Sequence, residues 1–137
     1  MIRILIADDF ADTRRGLRAV LESKNRLVVC GEASSGSEAV EKACELKPDV
    51  VVLDLRMPSG NGIETALKIS TLMPAVPIAL ISVFPYLALE GAVAHAGIWK
   101  VFNKSEVNTL RDWIDSLFPA VVPRPPQEMP SASVQQP

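Results

Sequence analysis

The chain has 137 residues, 48% apolar and 22% charged, the size and make-up of one soluble α/β domain with a real core. Its net charge of -2 argues against a nucleic-acid-binding segment, which would carry a basic patch or stripe. No apolar stretch reaches the roughly 18–20 residues that span a bilayer, and the start lacks a signal-peptide pattern, so the expected setting is cytoplasmic.

Apolar runs alternate with helical periodicity five times. Strand one is predicted over residues 2–7 and runs into Asp8-Asp9. A helix follows from Asp12 to Ser23, with Asp12 as its N-cap and Leu17, Val20 and Leu21 on one face. Strand two covers 27–30. Ser35-Gly36-Ser37-Glu38 opens a helix in which Ala39, Val40, Ala43 and Leu46 recur, and Pro48 stops it. Strand three, 50–53, runs into Asp54. Asn61-Gly62 begins a helix reaching Leu72, and Pro74 and Pro77 bracket the turn into strand four, which runs into Ser82. Pro85 is placed in the first turn of a fourth helix ending near His95, with Leu89, Val93 and Ala96 inward and Leu87, Gly91 and Ala94 outward. That outward apolar stripe suggests a partner surface. Strand five, 100–103, runs into Lys104, and the last helix covers 106–118.

Residues 119–137 contain six prolines and only two charges, Arg124 and Glu128, which predicts a flexible tail or linker after a domain of residues 1–118. Cys30 and Cys44 match no metal or redox spacing and are expected to be buried free thiols. His95 stands near a helix end, where it favours the dipole.

Strands this apolar are buried on both faces, which requires a parallel sheet with helices on each side. Right-handed crossovers then favour a doubly wound five-stranded sheet of order 2-1-3-4-5. Ligands of such sheets bind at the carboxyl ends of the strands, at the switch point between strands one and three. Asp8, Asp9 and Asp54 land in that crevice. Two unit charges about 4 Å apart repel by about 4 kcal/mol at an effective dielectric near 20. Three carboxylates are therefore unstable together unless one protonates or a cation enters, and a hard divalent cation such as Mg²⁺ fits oxygen donors of this kind. A carboxylate beside a metal can attack a phosphoryl group to give an acyl phosphate. Lys104 is placed to neutralise the phosphoryl oxygens and Ser82 to donate a hydrogen bond.

These residues resemble a known pattern. Ile6-Ala7-Asp8-Asp9, Asp54-Leu55-Arg56-Met57-Pro58 with Gly62, Ser82 and Lys104 occur in order, at the spacing of the receiver domain of a two-component response regulator. Arg14-Arg15-Gly16-Leu17 and Gly31-Glu32-Ala33 are similar to receivers of the NarL/FixJ type. The resemblance implies the flavodoxin-like three-layer receiver fold. It implies that Asp54 is the phosphoacceptor, served by a sensor histidine kinase or a small phosphodonor. Asp8, Asp9, Asp54 and the Arg56 backbone carbonyl would hold Mg²⁺, with Ser82 and Lys104 on the phosphoryl group. Output would pass through helix four, strand five and helix five to a homodimer partner or an effector. The protein would then be a signalling receiver that catalyses only its own phosphorylation and dephosphorylation.

Three positions depart from the family pattern. Val101 stands where an aromatic switch residue is usual, and strand alternation points Phe102 to the opposite face. Val83, stiff at χ1, follows Ser82 where Ala or Gly is usual, and is expected to narrow access to the phosphoryl group. Ser105 follows Lys104 where proline is usual; a cis bond there would cost roughly 2.5–4 kcal/mol. Other functions fit less well. A phosphatase with an aspartyl intermediate needs a second acid where Arg56 stands, and a flavin carrier needs a phosphate loop where Asp8-Asp9 repels phosphate. A pseudo-receiver interaction module, or the receiver part of a DNA-binding regulator, are the alternatives.

Overall fold

The alternation of buried apolar runs and amphipathic helices builds a three-layer sandwich. A computed structural model describes residues 1–119 apart from Ser59, Tyr86, Leu87 and Leu89. Its elements are β1 (Ile2–Ala7), α1 (Ala11–Leu21), β2 (Leu27–Ala33), α2 (Gly36–Leu46), β3 (Val50–Asp54), α3 (Gly62–Leu72), β4 (Ile78–Ser82), α4 (Glu90–His95), β5 (Lys100–Asn103) and α5 (Val107–Leu117). The five strands are parallel in the order β2-β1-β3-β4-β5, as the apolar pattern predicts. The 119–137 tail lies outside the described residues from residue 120 onward.

Side-chain alternation divides the core between the two faces of the sheet. Leu5, Val51, Leu53, Ile78 and Leu80 meet Ala39 and Ala43 of α2 and Ala66 and Ile69 of α3. Ile4, Ile6, Val50, Val52, Ile81 and Phe102 meet Leu17 and Leu21 of α1 and Leu110 and Ile114 of α5. Val101 packs with the first group and Phe102 with the second, so the two lie on opposite faces. The caps of α2 and α3 follow from their sequences. Ser35 Oγ accepts from Glu38 N–H at 3.2 Å, Glu38 reaches back to Ser34 N–H, and Asn61 Oδ1 accepts from Glu64 N–H at 2.9 Å.

Several local expectations are corrected. Asp12 is not the N-cap of α1: Phe10 holds that position with no side-chain cap, and Asp12 lies in the first turn, paired with Arg15. There its charge still favours the positive helix end. Strand β2 runs three residues past Cys30, to Ala33, because its pairing with β1 continues through Leu5–Gly31, Ile6–Glu32 and Ala7–Ala33, and Gly31 leaves room there for the Leu46 side chain of α2. Pro85 does not open α4: its carbonyl accepts from Ala88 N–H at 3.0 Å, and the helix is Glu90–His95. Within α4 and its exit, Ala96 is buried, Val93 half-buried, and Gly91 and Ala94 exposed, as expected; Leu87 and Leu89 lie outside the described residues. The cysteines are free but not buried: Cys30 is half-buried and Cys44 exposed. Ala39 and Ala43 claim the inward face of α2, and Cys44, a further 100° round the helix, turns outward. None of the described peptide bonds is cis, so Lys104–Ser105 is trans. Its turn is held by Ser105 N–H and Oγ on Asn103 Oδ1, each at 2.9 Å. Among the described residues no helix is long and apolar enough to cross a membrane.

Candidate functional site

Strand register sets the site. Ala7 pairs with Leu53 and Asp54 with Ile81, so Asp8 and Asp54 emerge side by side at the carboxyl edge. Ser82 pairs with Asn103, and the ladder continues as Lys104 N–H donates to Ser82 O at 3.0 Å. All five predicted side chains meet there. One carboxylate oxygen each from Asp8, Asp9 and Asp54 lies within 4.8 Å of the others. Lys104 Nζ donates to Asp8 Oδ2 at 2.9 Å and to Asp54 Oδ2 at 3.0 Å. Asp8, Asp54 and Ser82 are buried, at 0%, 4% and 5% exposure, whereas Asp9 is exposed.

The site opens into a cleft of about 480 Å³ lined by Asp9, Asp54, Arg56, Ser82 and Lys104, with Phe10, Met57, Pro58, Val83 and Phe84 as an apolar rim. Arg56 N–H approaches Asp54 Oδ1 at 3.4 Å, and Ser82 Oγ accepts from Phe84 N–H at 3.0 Å. Ser82 therefore keeps its own O–H to donate. Val83 is 57% exposed and lines the cleft beside Ser82.

Burial pushes the Asp54 carboxyl above its usual range; Lys104 opposes this and the Asp8 charge adds to it. Burial alone would lower the Lys104 ammonium, but its hydrogen bonds to Asp8 and Asp54 outweigh that and hold it above the usual lysine range. One cation between two carboxylates leaves a net negative group, so an incoming divalent cation has three oxygen donors and an uncompensated charge to meet. The donor set thus fits a hard metal ion.

Sequence reasoning missed the supports of Asp8. Phe10 N–H donates to Asp8 Oδ1 at 2.9 Å, and Arg14 Nη1 donates to the Asp8 carbonyl at 2.6 Å. Arg14 and Arg18 both pair with Glu32. Arg14 and Glu32 stand in the Arg14-Arg15-Gly16-Leu17 and Gly31-Glu32-Ala33 motifs and Arg18 follows the first of them, but nothing in either motif says that they touch.

Comparison with known proteins decides the family: residues 4–115 match the response regulator receiver domain. The chain belongs to that family. The transcriptional regulatory protein LnrK of Bacillus subtilis is 42% identical over 97 residues, which are 71% of this chain and 44% of that protein. The receiver thus spans less than half the length of the curated relatives it matches. Among solved structures, a LuxR-family two-component response regulator from Aurantimonas sp. superposes with a TM-score of 0.77 at 29% identity, covering 84% of this chain and 83% of that one. The response regulator TrrA of Thermotoga maritima, in complex with Mg²⁺-BeF, gives 0.78 at 25% identity, covering 86% and 100%. The acidic triad is of the type that holds Mg²⁺ in receivers. Membership in the receiver family implies a histidine kinase as partner.

Proposed function

We propose that this receiver accepts a phosphoryl group on Asp54 and that residues 1–118 form the receiver unit, with 119–137 as its tail or linker. The observation that carries the reading is the Lys104 bridge to Asp54 and Asp8, which sets a nucleophile and its charge partner at the cleft. Asp8, Asp9 and Asp54 would hold Mg²⁺ through their carboxylate oxygens, and the Arg56 backbone carbonyl would add a further oxygen donor. When bound, the ion would supply positive charge that neutralises the phosphoryl oxygens. An Asp54 carboxylate oxygen attacks phosphorus; the O–P bond forms as the bond to the donor breaks, and the donor leaves with that electron pair. With a histidine kinase as donor, the bond that breaks is the P–N bond of its phosphohistidine. With a small acyl phosphate as donor it is a P–O bond, and the carboxylate leaves with the electron pair. Lys104 neutralises one phosphoryl oxygen and Ser82 donates its O–H to another.

Val101 offers no ring to rotate, so we route the signal through Ser82 and the turn it holds at Phe84. The surface reshaped is that of α4, β5 and α5, read by a second copy or an effector. Similarity to LnrK supports a transcriptional output for the whole protein. Val101 also favours a second reading, an interaction module of fixed conformation. Titration with beryllofluoride and Mg²⁺ separates the two. The receiver reading predicts binding that Asp54→Ala abolishes, whereas no binding by the native chain supports the module.

A further inference from the structure

Lys104 anchors the carboxylates of Asp8 and Asp54, but no side-chain hydrogen bond holds that of Asp9 among the described residues. Where Asp9 points is therefore set by its backbone, and first by the peptide that joins it to Asp8. The carbonyl of that peptide accepts from Arg14 Nη1 at 2.6 Å. Arg14 is itself fixed: its side chain is 17% exposed and its Nε donates to Glu32 Oε1 at 2.8 Å. Arg18 holds the other oxygen of Glu32, at 3.0 Å from Nε and 2.7 Å from Nη2. Glu32 belongs to β2, which also takes the Asp8 N–H on the Ala33 carbonyl at 3.0 Å. A chain of charge-assisted contacts thus runs from the edge strand to the Asp8–Asp9 peptide.

We infer that Arg14, braced by Glu32, is a positioning residue for the metal-binding pair: it fixes the Asp8–Asp9 peptide plane and so aims the Asp9 carboxylate into the cleft. Arg14 touches neither the cation nor the phosphoryl group. Without its bond, the peptide can turn by opposite changes in ψ of Asp8 and φ of Asp9, leaving β1 in place while swinging the Asp9 side chain. Outer partners of metal ligands commonly alter affinity by about 10–100-fold. The inference rests on the reading of Asp8 and Asp9 as Mg²⁺ donors.

Arg18 supplies the control, because it makes the same tie from α1 to Glu32 without reaching Asp8. Mg²⁺ affinity of the full chain is measured by titration calorimetry, together with thermal unfolding in the absence of the ion. The expected result is a loss of about tenfold or more in Mg²⁺ affinity for Arg14→Ala. Partial recovery is expected in Arg14→Lys, and unchanged affinity in Arg18→Ala despite its lower melting temperature. Native affinity in Arg14→Ala overturns the inference, as does an equal loss in Arg18→Ala. Should Arg14→Ala not fold, Arg14→Lys against Arg18→Lys carries the same comparison, with weakening expected only in the former. A native chain that takes up no Mg²⁺ overturns the metal-site reading itself, and the inference with it.

Discussion

Gly62, the first residue of α3, packs directly against the backbone carbonyl of Asp54; a Cβ built on it would collide with that oxygen and lie 2.7 Å from Leu80 Cδ1. Its N–H also donates to Leu55 O at 2.8 Å. The start of α3 therefore fixes the loop that leaves the site carboxylate. Gly62→Ala is expected to cost about 1–3 kcal/mol by overpacking, read as a lower denaturation midpoint. It is also expected to weaken beryllofluoride binding, because the Asp54 carbonyl must shift. A variant as stable as the native chain contradicts this packing.

The Asp54 carboxyl is held above its ordinary value of 3.8, first by burial. A carboxyl raised in the folded state penalises folding once it is ionised. That penalty is complete above the raised value and disappears by the unfolded value. In the metal-free protein the Asp54 contribution should therefore favour folding increasingly as pH falls through the raised value toward 3.8. Below 4.5, Glu32 and Glu38 oppose the gain: their carboxyls are held under that value, first by the Arg18 side chain and by the Ser34 N–H, and their stabilisation is lost as they protonate. Asp54→Asn should be more stable than the native chain at pH 7 and nearly flat over the same window. Thermal melts across pH check both statements.

Val83 stands on the rim of the cleft, more than half exposed, beside Ser82. Val83→Ala should open the approach for both donor and water. Phosphorylation and dephosphorylation should quicken by up to about tenfold, equivalent to ~1.4 kcal/mol of barrier. Equal phosphate lifetimes in the two proteins would remove the idea.

Phe102 is 2% exposed and meets Trp113 edge to face, with ring centroids 5.5 Å apart. It is a core residue under α5. Phe102→Ala should cost about 3–5 kcal/mol in chemical denaturation. Phe102→Leu should retain beryllofluoride binding; its loss there would tie the ring to the site instead.

The sheet order and the five site residues were legible because both follow from short-range pattern. Buried parallel strands read as apolar runs, and the residue after each run falls at one edge. What escaped depends on tertiary contact. The extension of β2 to Ala33 hides behind Gly31 and Glu32, which break the apolar run, yet it brings Glu32 to Arg14 and Arg18. Asp12 had the chemistry of a cap, but the N-cap falls two residues earlier, at Phe10, and Ala11 is already helical. Cys44 was expected inside from the general preference of cysteine for the interior, but Ala39 and Ala43 take the buried face of α2 and Cys44 lies exposed. The departure of Val101 was visible, and its face was predictable from alternation.

The central claim is that Asp54 carries the phosphoryl group. Incubation with acetyl phosphate and Mg²⁺, reduction of the acyl phosphate with borohydride and peptide mass spectrometry test it most directly. Conversion at Asp54 alone, lost without Mg²⁺ and in Lys104→Ala, is the predicted result; no conversion, or conversion at another carboxylate in the native chain, would contradict it.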